Sequence, residues 1–193
     1  MPEADQEQLV GYFGFGSLVN KHTLRTSYVD IFPATLKGWR RHWQARPKGF
    51  DSEIALLSVH EDDTCSIRGT LVIDRFSNLP LVDKREEDYS RVSLSPDDLL
   101  LPSGKEFPDR LNVYVGKEPA AGTARGSLLQ SYLDAVLQGF YQLYGVDGVE
   151  HFMQTTSGFD RPLISDRQSP QYPRHVDLSI KEQTIIDQAL SQH

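Results

Sequence analysis

One cysteine, Cys65, in 193 residues excludes an intramolecular disulfide, and with it the small disulfide-stapled secreted scaffolds. No apolar run approaches the ~20 residues that span a bilayer, so no membrane partner is expected. Basic residues are in deficit: 20 Lys and Arg against 27 Asp and Glu leave a net charge of −7. Nucleic-acid phosphates need clustered Lys and Arg, so this balance argues against a general nucleic-acid role. The six histidines have no paired metal spacing and one thiol makes no thiolate cluster, so no metal site is expected. The acidic start, Met1-Pro2-Glu3-Ala4-Asp5-Gln6-Glu7-Gln8, lacks the basic and apolar regions of a signal peptide. A reducing cytoplasm is the expected setting.

Three ligand motifs are also missing. G-x-G-x-x-G fails because Val19 stands where the third glycine belongs, no Gly-Lys-Ser/Thr follows, and Phe15 rather than Ser separates Gly14 and Gly16. In their place stands Tyr12-Phe13-Gly14-Phe15-Gly16-Ser17-Leu18. The apolar run 10–13 reads as a buried strand. It stops at two glycines, which tolerate positive φ and let backbone approach a ligand closely. The amides around Ser17 can then bind a carboxylate or an oxyanion. The same residues also fit a plain strand end, with Ser17 capping the next element.

A second feature is Leu81-Val82-Asp83-Lys84-Arg85-Glu86-Glu87-Asp88-Tyr89. Ser77 or Asn78 can cap a helix here, with Pro80 tolerated in its first turn. Asp83 then shares a face with Glu86 and Glu87. Crowding and partial burial would raise one carboxyl toward neutrality, as a general acid/base requires. The alternative is a solvated acidic helix end neutralised by Arg85 and Arg91.

Together and in this order, the two features resemble the γ-glutamyl cyclotransferases. The 12–18 segment resembles that family's glycine turn, and Val82-Asp83-Lys84-Arg85-Glu86 its L-D-x-x-E segment. Ala34-Thr35-Leu36-Lys37-Gly38-Trp39-Arg40-Arg41 is similar to its second strand. Ser131-Tyr132-Leu133-Asp134-Ala135-Val136-Leu137-Gln138-Gly139 is similar to its late helix. The family usually has Tyr where this chain has Phe15, so a hydroxyl is lost there. The resemblance implies Glu86 as the catalytic residue, and Tyr12, Phe13, Gly14, Phe15, Gly16, Ser17, Leu18 and Tyr132 as substrate-binding residues. It implies release of 5-oxoproline from a small γ-glutamyl substrate, with no cofactor and no metal. The leaving group is open: an amine, an amino acid or a dipeptide. A non-catalytic relative that binds such ligands is the alternative within the family.

Along the chain, residues 54–59 and 68–73 read as short strands with a turn at Asp62-Asp63, and 111–115 as another strand. A loop covers 116–126. Leu128, Leu129, Tyr132, Val136, Phe140 and Leu143 recur at helical spacing. Ser179-Ile180-Lys181-Glu182 is a capping box opening a helix through Leu190. This pattern predicts α+β: a small curved mixed sheet, or partly closed barrel, flanked by helices. One domain is expected over 1–193, with 146–193 a C-terminal extension packed on it. Lys37, Arg40, Arg41, His42, Arg46 and Lys48 interleave with Trp39 and Trp43. That pattern can bind single-stranded nucleic acid, but a strand with one buried and one charged face explains it as well. Asp160 with Arg161, and Asp166 with Arg167, read as ion pairs anchoring a loop rather than as substrate ligands.

Overall fold

The computed structural model describes residues 8–24, 27–47, 53–119 and 125–192. The acidic start through Glu7, Lys48, and residues 120–124 of the predicted loop lie outside the described residues. The described residues form nine strands and three helices: β1 (Leu9–Gly14), β2 (Asp30–Gln44), β3 (Leu56–Arg75), α1 (Leu79–Arg85), β4 (Tyr89–Ser93), β5 (Leu99–Leu100), β6 (Arg110–Gly116), β7 (Leu128–Leu129), α2 (Gln130–Gln154), β8 (Thr156–Ser157), β9 (Leu163–Ile164) and α3 (Ile180–Ser191). The main sheet runs β4-β6-β1-β3-β2-β5, with β8 also paired to β2. β1 is parallel to β6 and antiparallel to β3. The sheet is mixed and curved, and it is not closed into a barrel.

Alternation along β1 divides the core. Phe13 joins the large cluster on one face, where Leu133, Val136, Leu137 and Phe140 of α2 pack. Tyr12 joins a smaller cluster on the other face with Val72, Val82 and Tyr114, beneath α1. Each fully buried Phe or Leu here contributes about 1.5–3 kcal/mol, so the sheet is held between α2 and α1. Helix α3 packs on α2 through Ile186, which is fully buried. Its start carries the expected capping box between Ser179 and Glu182.

Several expectations need correction. Residues 56–75 form one strand, without a turn at Asp62-Asp63. The irregularity is a bulge: the register with β2 jumps from Lys37–Ser66 to Trp39–Glu61, and Gly38 opposite takes φ +75°. Asp62 ties the bulge by accepting from Thr64 and Arg40. Alternating spacing cannot reveal a bulge, because it interrupts the alternation. The helix predicted from residue 128 starts later, at Gln130, because Leu128 and Leu129 pair with Leu163 and Ile164 as strand β7; it then runs on to Gln154, broken only at Gly145, where φ is +68°. Asn78 occupies the N-cap of α1, but its side chain makes no cap hydrogen bond and donates to Asp74 instead.

Candidate active site

Strand β1 delivers Gly14 to a tight turn, and a single 3₁₀ turn over Ser17–Val19 comes next. Close packing, not positive φ, requires the glycines. Gly16 has φ −127°, so the positive φ that glycine tolerates is not used here. A Cβ on Gly16 would lie 2.8 Å from the Tyr132 hydroxyl and 3.1 Å from Leu57 Cδ2, and one on Gly14 2.7 Å from Leu18 Cβ. Ser17 and Leu18 open the 3₁₀ turn, so their amides lack partners within it.

The turn is pinned from three sides. Thr23 donates its hydroxyl to the Ser17 carbonyl at 2.5 Å. Asn20 donates to the Ala135 carbonyl at 2.8 Å and to Gln138 at 2.9 Å, tying the turn to α2. Gly139 leaves room for this, since a Cβ there would meet Asn20 at 2.8 Å. The third anchor is Arg41. It is completely buried and its Nε donates to the Phe15 carbonyl at 2.9 Å. It also donates to Thr155 Oγ1 at 2.7 Å and to the Arg68 carbonyl, while its guanidinium lies 4.9 Å from the ring centroids of both Phe140 and Phe152. Burial lowers its pKa to about 9. The interleaved basic and aromatic residues therefore divide: Trp39, Arg41 and Trp43 point into the protein, while Arg40 and His42 stay on the other face.

Glu86 arrives from the opposite side. Helix α1 ends at Arg85, the Glu86 amide closes its last turn on the Val82 carbonyl, and Tyr89 starts β4 three residues later. The Glu86 side chain is only 12% exposed and lies 2.9 Å from Arg85 Nε. Burial raises its pKa, against the opposing pull of Arg85 and Arg174. The cause is desolvation rather than a crowd of acids, because the cluster is dispersed. Asp83 accepts from the Tyr114 hydroxyl at 2.7 Å and from Arg91, Glu87 faces solvent, and Asp88 pairs with Arg46.

Ser17, Glu86, Tyr89 and Tyr132 together line a small chamber at the glycine turn with Phe15, Gly16 and Leu18. The same four residues line an adjoining cavity of about 120 Å³. Tyr132 sits edge-on to both Trp43 and Tyr172, with centroids 5.8 and 5.0 Å away. Burial raises the pKa of its phenol and keeps it protonated, against a smaller opposing pull from the nearby Ser17 backbone. Tyr89 is fixed by its hydroxyl, which donates to the Leu57 carbonyl at 2.8 Å.

Chains of this architecture are already among solved structures. A structure described as a gamma-glutamyl cyclotransferase superimposes with a TM-score of 0.61 at 14% identity, covering 94% of this chain and 99% of its own. An uncharacterized protein from Homo sapiens gives 0.61 at 17% identity, with 94% and 99% covered. YkqA from Bacillus subtilis gives 0.59 at 18% identity, covering 80% of this chain and 58% of its own. The chain has the γ-glutamyl cyclotransferase fold. No protein-family model matches the sequence, and no curated protein does.

Within this fold the expected site residues separate. Phe15, Gly16, Ser17, Leu18, Glu86 and Tyr132 meet at the small chamber. Tyr12, Phe13 and Gly14 do not line it: Tyr12 packs edge-on to Tyr114 and donates to Asp74, and Phe13 is in the main core. Sequence reading missed Trp43, Arg46, Tyr89, Tyr172 and Arg174, all of which line the larger cavity. The last two come from the segment assigned only a structural role. Its ion pairs also differ from expectation: Asp160 pairs with Arg125, and Arg167 with Asp134 and Asp187. Asp166 instead accepts from the Ser131 amide at 2.8 Å and from its hydroxyl, an N-cap for α2 supplied from a distant loop. These bonds press the segment onto α2 and carry Tyr172 and Arg174 to the cavity.

Proposed function

We propose that this protein is a γ-glutamyl cyclotransferase, releasing 5-oxoproline and a free amine-bearing product from a γ-glutamyl compound. The observation that carries the reading is Glu86: a nearly buried carboxylate with a raised pKa, in one chamber with the glycine turn and Tyr132. A general base works best with a pKa near the operating pH, and burial moves Glu86 in that direction.

The reaction needs three things from the chain. The substrate's α-ammonium gives a proton to the Glu86 carboxylate, freeing the amine. That amine attacks the γ-carbonyl carbon, closing a five-membered ring and placing negative charge on the carbonyl oxygen. Amides of the glycine turn hold this oxyanion, or the α-carboxylate beside it. The ring nitrogen, cationic after the attack, loses its second proton to solvent; the C–N bond to the leaving group then breaks, and Glu86 returns its proton to the departing nitrogen. Nucleophile and electrophile belong to one molecule, so much of the catalysis is folding the substrate, worth ~7–11 kcal/mol at best. The α2 wall with Tyr132 and the pinned turn supply the rigid surfaces for that folding.

The test is incubation with γ-glutamyl amino acids, γ-glutamyl amines and glutathione, scored for 5-oxoproline by mass spectrometry. Formation from at least one of them, lost in Glu86→Gln, is the expected result. Ligand binding without any product from the whole set would reject the enzymatic reading.

A further inference from the structure

The larger cavity beyond Glu86 carries positive charge that the proposed chemistry does not use. Arg46, Arg85 and Arg174 line it against Glu86 and Asp88. Two of these arginines have ionic partners, Arg85 in Glu86 and Arg46 in Asp88, although Arg85 Nη2 and Arg46 Nε are buried without a hydrogen-bond partner among the described residues. Arg174 forms no ion pair among the described residues. Its Nε donates to the Tyr172 hydroxyl at 3.2 Å, and its guanidinium carbon lies 5.5 Å from that ring's centroid. This fixes one edge of the guanidinium and leaves its terminal nitrogens, the fork that grips a carboxylate in bidentate fashion, without an acceptor among the described residues. Trp43 adds a further unspent donor: it is only 4% exposed, and its indole N–H has no hydrogen-bond partner among the described residues. A buried unpaired donor costs free energy, which a bound acceptor would recover. The same cavity also has apolar lining, including Ile54, Leu129 and the ring of Tyr172.

From this we infer that the half of the substrate released by the reaction carries a carboxylate beside an apolar group, as an amino acid or peptide does and a simple alkylamine does not, and that Arg174 is the residue that selects it. The inference rests on the cyclotransferase reading. Ser17, Glu86, Tyr89 and Tyr132 lie where the two chambers join. With the glutamyl half at the glycine turn, the scissile bond falls beside Glu86 and the leaving half enters the chamber of Arg174.

A matched pair of probes isolates the carboxylate: γ-glutamyl-L-leucine, and γ-glutamyl-3-methylbutylamine, which differs only in lacking it. Wild-type protein should favour the leucine compound in kcat/KM by about tenfold or more, the scale of one hydrogen bond to a charged group. Arg174→Met should bring the ratio toward one. Arg174→Lys, which keeps the charge but not the fork, should give an intermediate ratio and serves if the Met variant fails to fold. A wild-type ratio near one overturns the inference. So does an undiminished ratio in both variants, or an equal loss on both probes, which would place Arg174 on the glutamyl half. Calorimetry of both probes on Glu86→Gln separates the two levels. Preferential binding of the leucine compound, with no 5-oxoproline from wild type, would sink the cyclotransferase reading but keep the carboxylate site. Product from both compounds without preference would do the reverse.

Discussion

Replacing Glu86 by Gln keeps the side chain's shape and removes its charge, so two effects must be weighed. The substitution takes away the ionic partner of Arg85, whose own side chain is 13% exposed. Breaking a buried ion pair typically costs ~3–5 kcal/mol when it leaves a charge uncompensated. It also removes a carboxylate that burial penalises. The pKa of Glu86 is raised, not lowered, so its surroundings disfavour the charged form despite Arg85 and Arg174. Desolvation therefore outweighs the attraction, and a neutral isostere should leave stability within about 1 kcal/mol of wild type. Arg85 keeps its hydrogen bond to the Thr23 carbonyl at 3.1 Å, which softens its loss. Catalysis has no such compensation, because an amide cannot accept the α-ammonium proton. Turnover should fall by about 10²–10⁴. The assay pairs urea denaturation with 5-oxoproline release, and exposed Glu87→Gln is the control expected to stay active. In wild type, Glu86 must be deprotonated to act, so kcat/KM should rise with pH through an apparent pKa above 4.5, and that limb should vanish in Glu86→Gln. A stable, active Glu86→Gln would refute the assignment of the base. A variant that unfolds would refute the claim that burial dominates its energetics.

Four further outcomes are expected. Gly16→Val should abolish binding of a γ-glutamyl ligand in calorimetry and cost about 1–3 kcal/mol in stability, because its Cβ overlaps the Tyr132 hydroxyl; unchanged affinity would remove the turn from the site. Tyr132→Phe should leave the fold intact and weaken kcat/KM by the ~0.5–1.5 kcal/mol of a neutral hydrogen bond, and identical kinetics would reduce this tyrosine to packing. Arg41→Met should lower stability in urea denaturation by about 3 kcal/mol or more, since its acceptors at Phe15, Thr155 and Arg68 lose their donor. It should also lower kcat/KM, because the carbonyl preceding Gly16 is released, and full activity would show that Arg41 does not position the turn. His151 accepts from the Arg68 amide at 3.1 Å, and burial lowers its pKa to about 4. Between about pH 6.5 and 4 the unfolded chain therefore binds a proton that the folded one does not, so stability should decrease as the pH is lowered through that window. His151→Gln should flatten that dependence in denaturation curves, and an unaltered slope would assign it to other groups.

Local pattern was enough to read the strand that runs into Gly14, the helix beginning near Gln130, the capping box at Ser179, and the α+β class. Each of these depends on neighbours within a few residues, where periodicity, glycine and capping chemistry act. The pairing of Glu86 with the glycine turn was legible only through the resemblance, since about seventy residues separate them. Tertiary structure alone decided the electrostatic and long-range features. The acids at 83–88 look alike in sequence, yet Glu86 and Asp88 line the cavity, paired with Arg85 and Arg46, while Asp83 bonds Arg91 and Glu87 faces water. Arg41 and Arg40 are neighbours, but the strand's alternation buries one wholly and leaves the other paired with Asp62. Arg174 becomes a candidate ligand group only because Asp166 and Arg167 fasten its segment to α2. Desolvation, which raises one carboxylate and strips an arginine of partners, depends on how much protein surrounds a group, and that is a property of packing rather than of sequence spacing.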